Sequence, residues 1–111
     1  MEEPYRPVAL RVVAEWVEQD PVWDGDIDHM GPVDPTEFGA SDVLVEQLRR
    51  WNKRSNALEE TGYDWLDAEQ VRAWRDEGLG LAYQLQNELP DIEISYAHDG
   101  DDRPLRQRRG R

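Results

Sequence analysis

Three aspartates at alternate positions, Asp24, Asp26 and Asp28, lie in the run Asp20-Pro-Val-Trp-Asp-Gly-Asp-Ile-Asp-His29. They match the first three ligand positions of a calcium loop, where alternate carboxylates in a tight turn converge on one hard cation. The rest of the loop departs from that pattern: its sixth position is His29 instead of glycine, and its twelfth is Pro35 instead of a bidentate glutamate. The aspartates therefore read as a solvated acidic loop or a partner surface, and no metal site is assigned. His29 and His98 are the only histidines, each beside aspartates, and no His-x-x-x-His or Glu-x-x-His pairing accompanies them. Both read as exposed loop residues.

Nucleophilic chemistry has no better footing. Ser41 reads as a helix cap, Ser55 as a helix-face residue and Ser95 as a strand residue, with no Gly-x-Ser-x-Gly elbow. Gly78-Leu-Gly80 falls inside a helical pattern and not between a strand and a helix, so it is no phosphate cradle. No catalytic residue and no cofactor are assigned, and the balance leans away from an enzyme. Trp51-Asn52 and Trp65 suit a ligand pocket or, more simply, a core. Trp23 differs, because an aromatic on an acidic loop has the make-up of a binding hot spot. The partner-binding candidates are accordingly Trp23, Asp24, Asp26, Asp28 and Glu37.

Charge points the same way. Residues 1–40 hold ten acids against Arg6 and Arg11, and residues 1–102 carry a net −17, whereas the last nine residues hold five arginines and no acid. An acidic body attracts a basic protein and repels nucleic acid and anionic membranes. The absence of cysteine excludes disulfides, thiol chemistry and Cys-ligated zinc. No apolar stretch is long enough to span a bilayer, and the acidic N-terminus lacks a leader pattern, which makes the cytoplasm the expected compartment. Twelve arginines against Lys53 alone suggest a GC-rich, actinobacterial coding background.

These groups need elements to hold them, and 111 residues allow one domain with one modest core. Residues 8–17 alternate, placing Val8, Leu10, Val12, Ala14 and Trp16 on one face of a strand. Residues 18–40, punctuated by proline and glycine, read as one long acidic loop pinned by Trp23, Ile27, Met30 and Phe38. Ser41 caps a helix with Leu44, Leu48, Trp51, Ser55 and Leu58 on one face, ending near Gly62. Asp67 caps a second helix with the stripe Val71, Trp74, Gly78, Leu81, Leu85 and Leu89; Gly78 and Gly80 suggest close helix approach. Pro90 ends it, Ile92–Tyr96 alternates as a second strand, and residues 98–111 read as a disordered Arg-rich tail. The expected fold is α+β in the order β-α-α-β: a helical hairpin on a two-stranded sheet within residues 1–97. So small a sheet invites a homodimer that joins two pairs into four strands.

Gly31-Pro-Val-Asp-Pro, Leu44 to Leu48-Arg-Arg-Trp-Asn52 and Glu69-Gln-Val-Arg-Ala-Trp through Leu85-Gln-Asn-Glu-Leu-Pro together resemble small uncharacterised actinobacterial acidic proteins. Those share a Trp-Asp loop, a Leu-x-x-Trp-Asn helix and a late Leu-Gln-x-Glu-Leu helix end. The likeness spans roughly residues 20–96 and implies a fold, with no activity or catalytic residues attached. The expected function is a non-enzymatic acidic interaction protein, of the immunity or antitoxin type, that covers a basic protein partner. Two alternatives stay open: a small metal- or ligand-binding protein or hydrolase using carboxylates of residues 20–37, and a structural homo-oligomer subunit.

Overall fold

The structure, a computed structural model, describes residues 5–14, 20–60 and 68–108, with the backbone only for residues 56–60 and 68. Strand β1 (Ala9–Val12) turns inward Leu10 and Val12, and strand β4 (Glu93–Tyr96) turns inward Ile94 and Tyr96. The two run parallel with Leu10 opposite Ile94 and Val12 opposite Tyr96, so one pleat period fills one face of the sheet. Strand β2 (Val22–Asp24) pairs antiparallel on the other side of β1, and β3 (Gly31–Pro32) pairs antiparallel with β2. The order across the sheet is β3-β2-β1-β4.

The sheet is thus four-stranded, not two-stranded, and the expected loop at 18–40 holds β2, β3 and a single 3₁₀ turn, Pro35–Phe38. Three- and two-residue strands next to proline and glycine are too short to show a period. Because one chain supplies all four strands, a partner copy is not needed to widen the sheet. The first strand is also shorter than its alternating run: Val8 is 82% exposed, and Trp16 lies outside the described residues.

Helices α1 (Asp42–Glu60) and α2 (Ala68–Glu88) cover the inner face. Leu44, Leu48 and Trp51 are buried as their spacing requires, joined by Val45, while α2 contributes Leu81, Ala82 and Leu85, with Leu89 just beyond. Ser41 Oγ accepts the Leu44 amide at 3.3 Å, the expected cap. Glu88, at the far end of α2, accepts the Ser41 amide at 2.6 Å and its hydroxyl at 3.1 Å, so the antiparallel helices are tied end to end. Leu58's side chain, Gly62, Trp65 and Asp67 lie outside what is described.

The helices meet on an aromatic seam. Trp51 is fully buried and stacks on Trp74 at 4.6 Å between ring centroids. Each indole N–H donates to the other residue's backbone carbonyl, at 2.9 and 3.2 Å. The Tyr96 hydroxyl donates to the Arg75 carbonyl at 2.8 Å, and burial pushes that phenol well above its ordinary range. Gly78 is the gap that admits both: a Cβ there would collide with the Trp51 ring and the Tyr96 hydroxyl. This is the close approach its position in the stripe suggests. Gly80 has no such neighbour.

The free side of β4 is closed by a side chain. Gln86 is 7% exposed; its Oε1 accepts the Ile94 amide at 3.0 Å, and its Nε2 donates to the carbonyls of Leu89 and Ile92 at 3.1 and 2.8 Å. The strand edge and the turn after α2 are so satisfied internally. The chain beyond His98, expected as a disordered tail, packs here through residue 108. Leu105 is 2% exposed and belongs to the core, and Arg108 pairs with Asp99 at 2.6 Å and Asp101 at 3.7 Å. Arg103 likewise holds Asp101 at 2.7 Å, and together with its own amide it keeps that carboxyl far below the usual carboxylate range. A lone leucine among arginines and aspartates shows no period, so burial of this segment is invisible in composition. Among the described residues, no helix is long and apolar enough to cross a membrane.

Candidate functional site

Asp24 and Gly31 are register partners, and the six residues 25–30 between them make the tip of the β2–β3 hairpin. Its shape comes from its aspartates. Asp24 Oδ1 accepts the Asp26 amide at 2.9 Å, Asp26 Oδ1 accepts the Asp28 amide at 2.8 Å, and the His29 amide closes a turn onto the Asp26 carbonyl at 3.0 Å. These are Asx turns, in which a short carboxylate stands in for a backbone acceptor two residues ahead. Gly31 follows at φ +138°, a conformation that favours glycine.

The Asp24 and Asp26 carboxylates consequently grip the loop's own backbone, and the Asp28 carboxylate makes no such bond. Among the described residues no three His, Asp or Glu side chains are gathered as a metal-binding set. Asp24 is 2% exposed and also accepts the Tyr5 hydroxyl, which this bond pushes up to about 12. Tyr5 then stacks on His29 at 3.5 Å with the rings nearly parallel, so the chain's start braces the hairpin from outside. The Asp28 amide, first, and then His29 hold Asp26 below its ordinary carboxylate range.

What the tip presents is an apolar centre in an acidic collar. Ile27 is 86% exposed and Met30 65%, between and beside the exposed Asp26 and Asp28. Contrary to the expectation from sequence, neither apolar residue pins the segment to the body; of Trp23, Ile27, Met30 and Phe38, Phe38 alone reaches the core edge. Elsewhere several of the described acids are neutralised within the fold. Arg49 Nε holds Asp20 at 2.7 Å and its Nη2 lies 3.5 Å from Asp34, Arg6 grips Asp91 with two nitrogens at 2.5 and 2.8 Å, and Arg54 pairs with Glu77. Among the described residues, Asp24, Asp28 and Glu37 have no arginine or lysine partner, and Asp26 has only His29.

The candidates from sequence separate accordingly. Asp26 and Asp28 sit exposed on the tip, Asp24 shapes it from within, and Glu37 is exposed on the following 3₁₀ turn, apart in the chain. Trp23 is half-buried on the sheet face turned away from the helices, beside Arg11 and Pro32 in register, and among the described residues its buried indole N–H has no acceptor. Tyr5, Ile27 and Met30 were not among the candidates. An isoleucine between two aspartates in a turn-rich run was the available signal for one of them.

His98 is corrected from an exposed loop residue to a half-buried one. It packs edge-on against Trp51, Trp74 and Tyr96 at 5.0 to 5.8 Å, and its Nε2 accepts the Ala14 amide at 3.0 Å. That bond needs the neutral ring, and burial, with Arg11 and Arg75 nearby, keeps its pKa below the usual histidine value. Ser41 is occupied as a cap, as described, and Ser95 faces outward on β4 with no histidine in a relay to it.

Fold and site together define a small α+β domain: a four-stranded sheet roofed by two helices, with a braced acidic hairpin projecting from one edge. The chain belongs to the Serratia CdiI immunity protein-like family, whose family model matches residues 8–99. That span includes the hairpin, both helices and β4, and it does not speak to an actinobacterial source. No curated protein matches the chain.

Proposed function

We propose that this chain is a non-enzymatic immunity-type inhibitor that binds a protein toxin through the tip of the β2–β3 hairpin, meeting a basic face on the toxin. Membership of an immunity protein family supports the class of function. The observation that carries the surface is the pairing of exposed Ile27 and Met30 with carboxylates that, among the described residues, no arginine or lysine neutralises, while most of the other described acids are ion-paired. Desolvated apolar anchors ringed by charge are how interfaces concentrate affinity, and the charge itself mainly speeds encounter. Asp24 and Tyr5 act as positioning residues that keep the tip in one shape before binding, which lowers the ordering cost of association. Arg103, Arg106 and Arg108 are engaged with the chain's own acids, which favours a protein over a nucleic acid as partner.

The test is capture from lysate of the native host by the tagged chain at low and physiological salt, read by mass spectrometry, followed by binding kinetics with the captured toxin. Asp28→Lys makes a clean probe because the Asp28 carboxylate shapes no turn. It should slow association about tenfold at low salt, with the difference shrinking as salt rises. Ile27→Ala should speed dissociation by about tenfold or more, and Glu69→Lys on the outer face of α2 should do neither. Wild-type kinetics for both hairpin variants would refute the assignment of this surface.

A further inference from the structure

We infer that the groove between the mid-section of α1 and α2 is a second docking surface, one that takes a helical segment of a partner carrying carboxylates one turn apart. The groove is a cavity of about 610 Å³ lined by Gln47, Arg50, Lys53, Arg54 and Glu77. Gln47, Arg50 and Arg54 recur at i, i+3 and i+7 and so form one stripe, with Lys53 beside it and Glu77 on the opposing wall. Among the described residues Arg50, Lys53 and Arg54 stand against Glu77 and the adjoining Glu46, a local balance of +1 on a chain whose net charge is −12.

Arg6, Arg49 and Arg108 show by contrast how an arginine is committed to tying the fold together. Arg6 makes three hydrogen bonds that tie the start of the chain to Asp91 and the Phe38 carbonyl, Arg49 bridges Asp20 and Asp34, and Arg108 is buried against Asp99 and Asp101. In the groove, Arg50 is 73% exposed and touches Glu46 at 3.2 Å through one nitrogen, and Arg54 is 54% exposed beside Glu77. Among the described residues Lys53 has no carboxylate partner. A surface helix needs no such concentration for its fold, since exposed pairs of this kind contribute little to stability.

Geometry and charge select the occupant. Arg50 and Arg54 are four residues apart, about 6 Å along the helix axis, the same interval that separates glutamates at i and i+4 on a helix laid alongside. Guanidinium groups suit carboxylates at this range because they donate in paired, planar fashion. Nucleic acid fits less well: the −17 carried by residues 1–102 repels a polyanion at distance, and three cations supply few phosphate contacts. A short acidic helix is drawn only within about one Debye length, where the local cations outweigh the remote acids.

The inference is independent of the hairpin and is tested on the full chain. An alanine-based peptide about 15 residues long, the length at which isolated helices become marginally stable, with glutamate at every fourth position, is titrated into ¹⁵N-labelled protein at low salt and at about 0.15 M, where the Debye length is about 8 Å. We expect shifts confined to residues 47–54 and around Glu77, weakening with salt. Affinity should fall about tenfold, roughly the weight of one charge-assisted contact, in Arg50→Gln/Arg54→Gln. Lys53→Glu gives a second, single-site variant, and it should weaken the peptide while letting a lysine-substituted counterpart bind. Shifts centred on the hairpin, unchanged affinity in these variants, or tighter binding of a short single-stranded oligonucleotide in the same groove would each overturn the inference.

Discussion

Two glycines two positions apart in α2 should respond in opposite directions to the same methyl group. In a helix interior, alanine is favoured over glycine by about 1 kcal/mol, because glycine loses more backbone freedom on folding. At Gly80 a Cβ meets nothing within 4 Å, so Gly80→Ala should keep that gain and stabilise the protein by roughly 0.5–1 kcal/mol. At Gly78 a Cβ would lie 2.6 Å from Trp51 Cε2 and press on the Tyr96 hydroxyl. Neither neighbour can step aside. The Trp51 ring is clamped between its stack on Trp74 and its bond to the Trp74 carbonyl, and Tyr96 is held by the Arg75 carbonyl. Overpacking of this kind costs about 1–3 kcal/mol, and breaking one buried hydrogen bond adds about 1 kcal/mol. After the helical gain, Gly78→Ala should destabilise by about 1–3 kcal/mol, which separates the two variants by roughly 1.5–4 kcal/mol. Urea unfolding followed by tryptophan fluorescence and far-UV circular dichroism reads this directly. Near-UV dichroism should weaken in Gly78→Ala alone, because the Trp51–Trp74 pair is what the methyl disturbs. A Gly78→Ala protein as stable as the wild type would refute the packing argument, and so would equal shifts in the two variants.

Gln86→Leu keeps most of the side-chain volume but strips three backbone groups of their partner, and should cost about 2–4 kcal/mol in the same urea assay; a loss below about 0.5 kcal/mol would mean that water satisfies those groups. His98 supplies a pH dependence. The folded state resists the proton that the unfolded chain accepts at an ordinary pKa of about 6.5, so stability is complete above that pH and falls as the pH drops below it. His98→Gln should flatten the slope of unfolding free energy between about pH 6.5 and 5, and an unchanged slope would remove His98 as its source.

The helices were legible because their signals are local and redundant. The Leu44, Leu48, Trp51 stripe, the Ser41 cap and the Gly78 gap each follow from spacing along one element, and tertiary packing uses them as read. The central strands were legible where a full period was present, as in Leu10 and Val12 against Ile94 and Tyr96. β2 and β3 were not, since three and two residues beside Pro32 and Gly31 offer no repeat. At the site, the cluster of acids on a chain reversal could be read from sequence. The exposure of Ile27 and Met30 could not, because the tip is held by contacts distant in sequence, such as those of Tyr5 with Asp24 and His29, that no local pattern reveals. His98 was misjudged for the same reason: Trp51 and Trp74 enclose it only once the helices have packed.

The Asx turns of the hairpin give its acids two separable duties. Asparagine offers the same carbonyl oxygen at the same distance from the backbone, so Asp26→Asn can still accept the Asp28 amide while shedding a full negative charge. The loop's shape is therefore degenerate with respect to its charge. A lineage could drift along the Asp–Asn axis, retuning how strongly the tip attracts one cationic surface over another, without ever passing through a misfolded hairpin. Partner discrimination in such a chain would evolve by electrostatic steps of one unit on a geometrically constant probe.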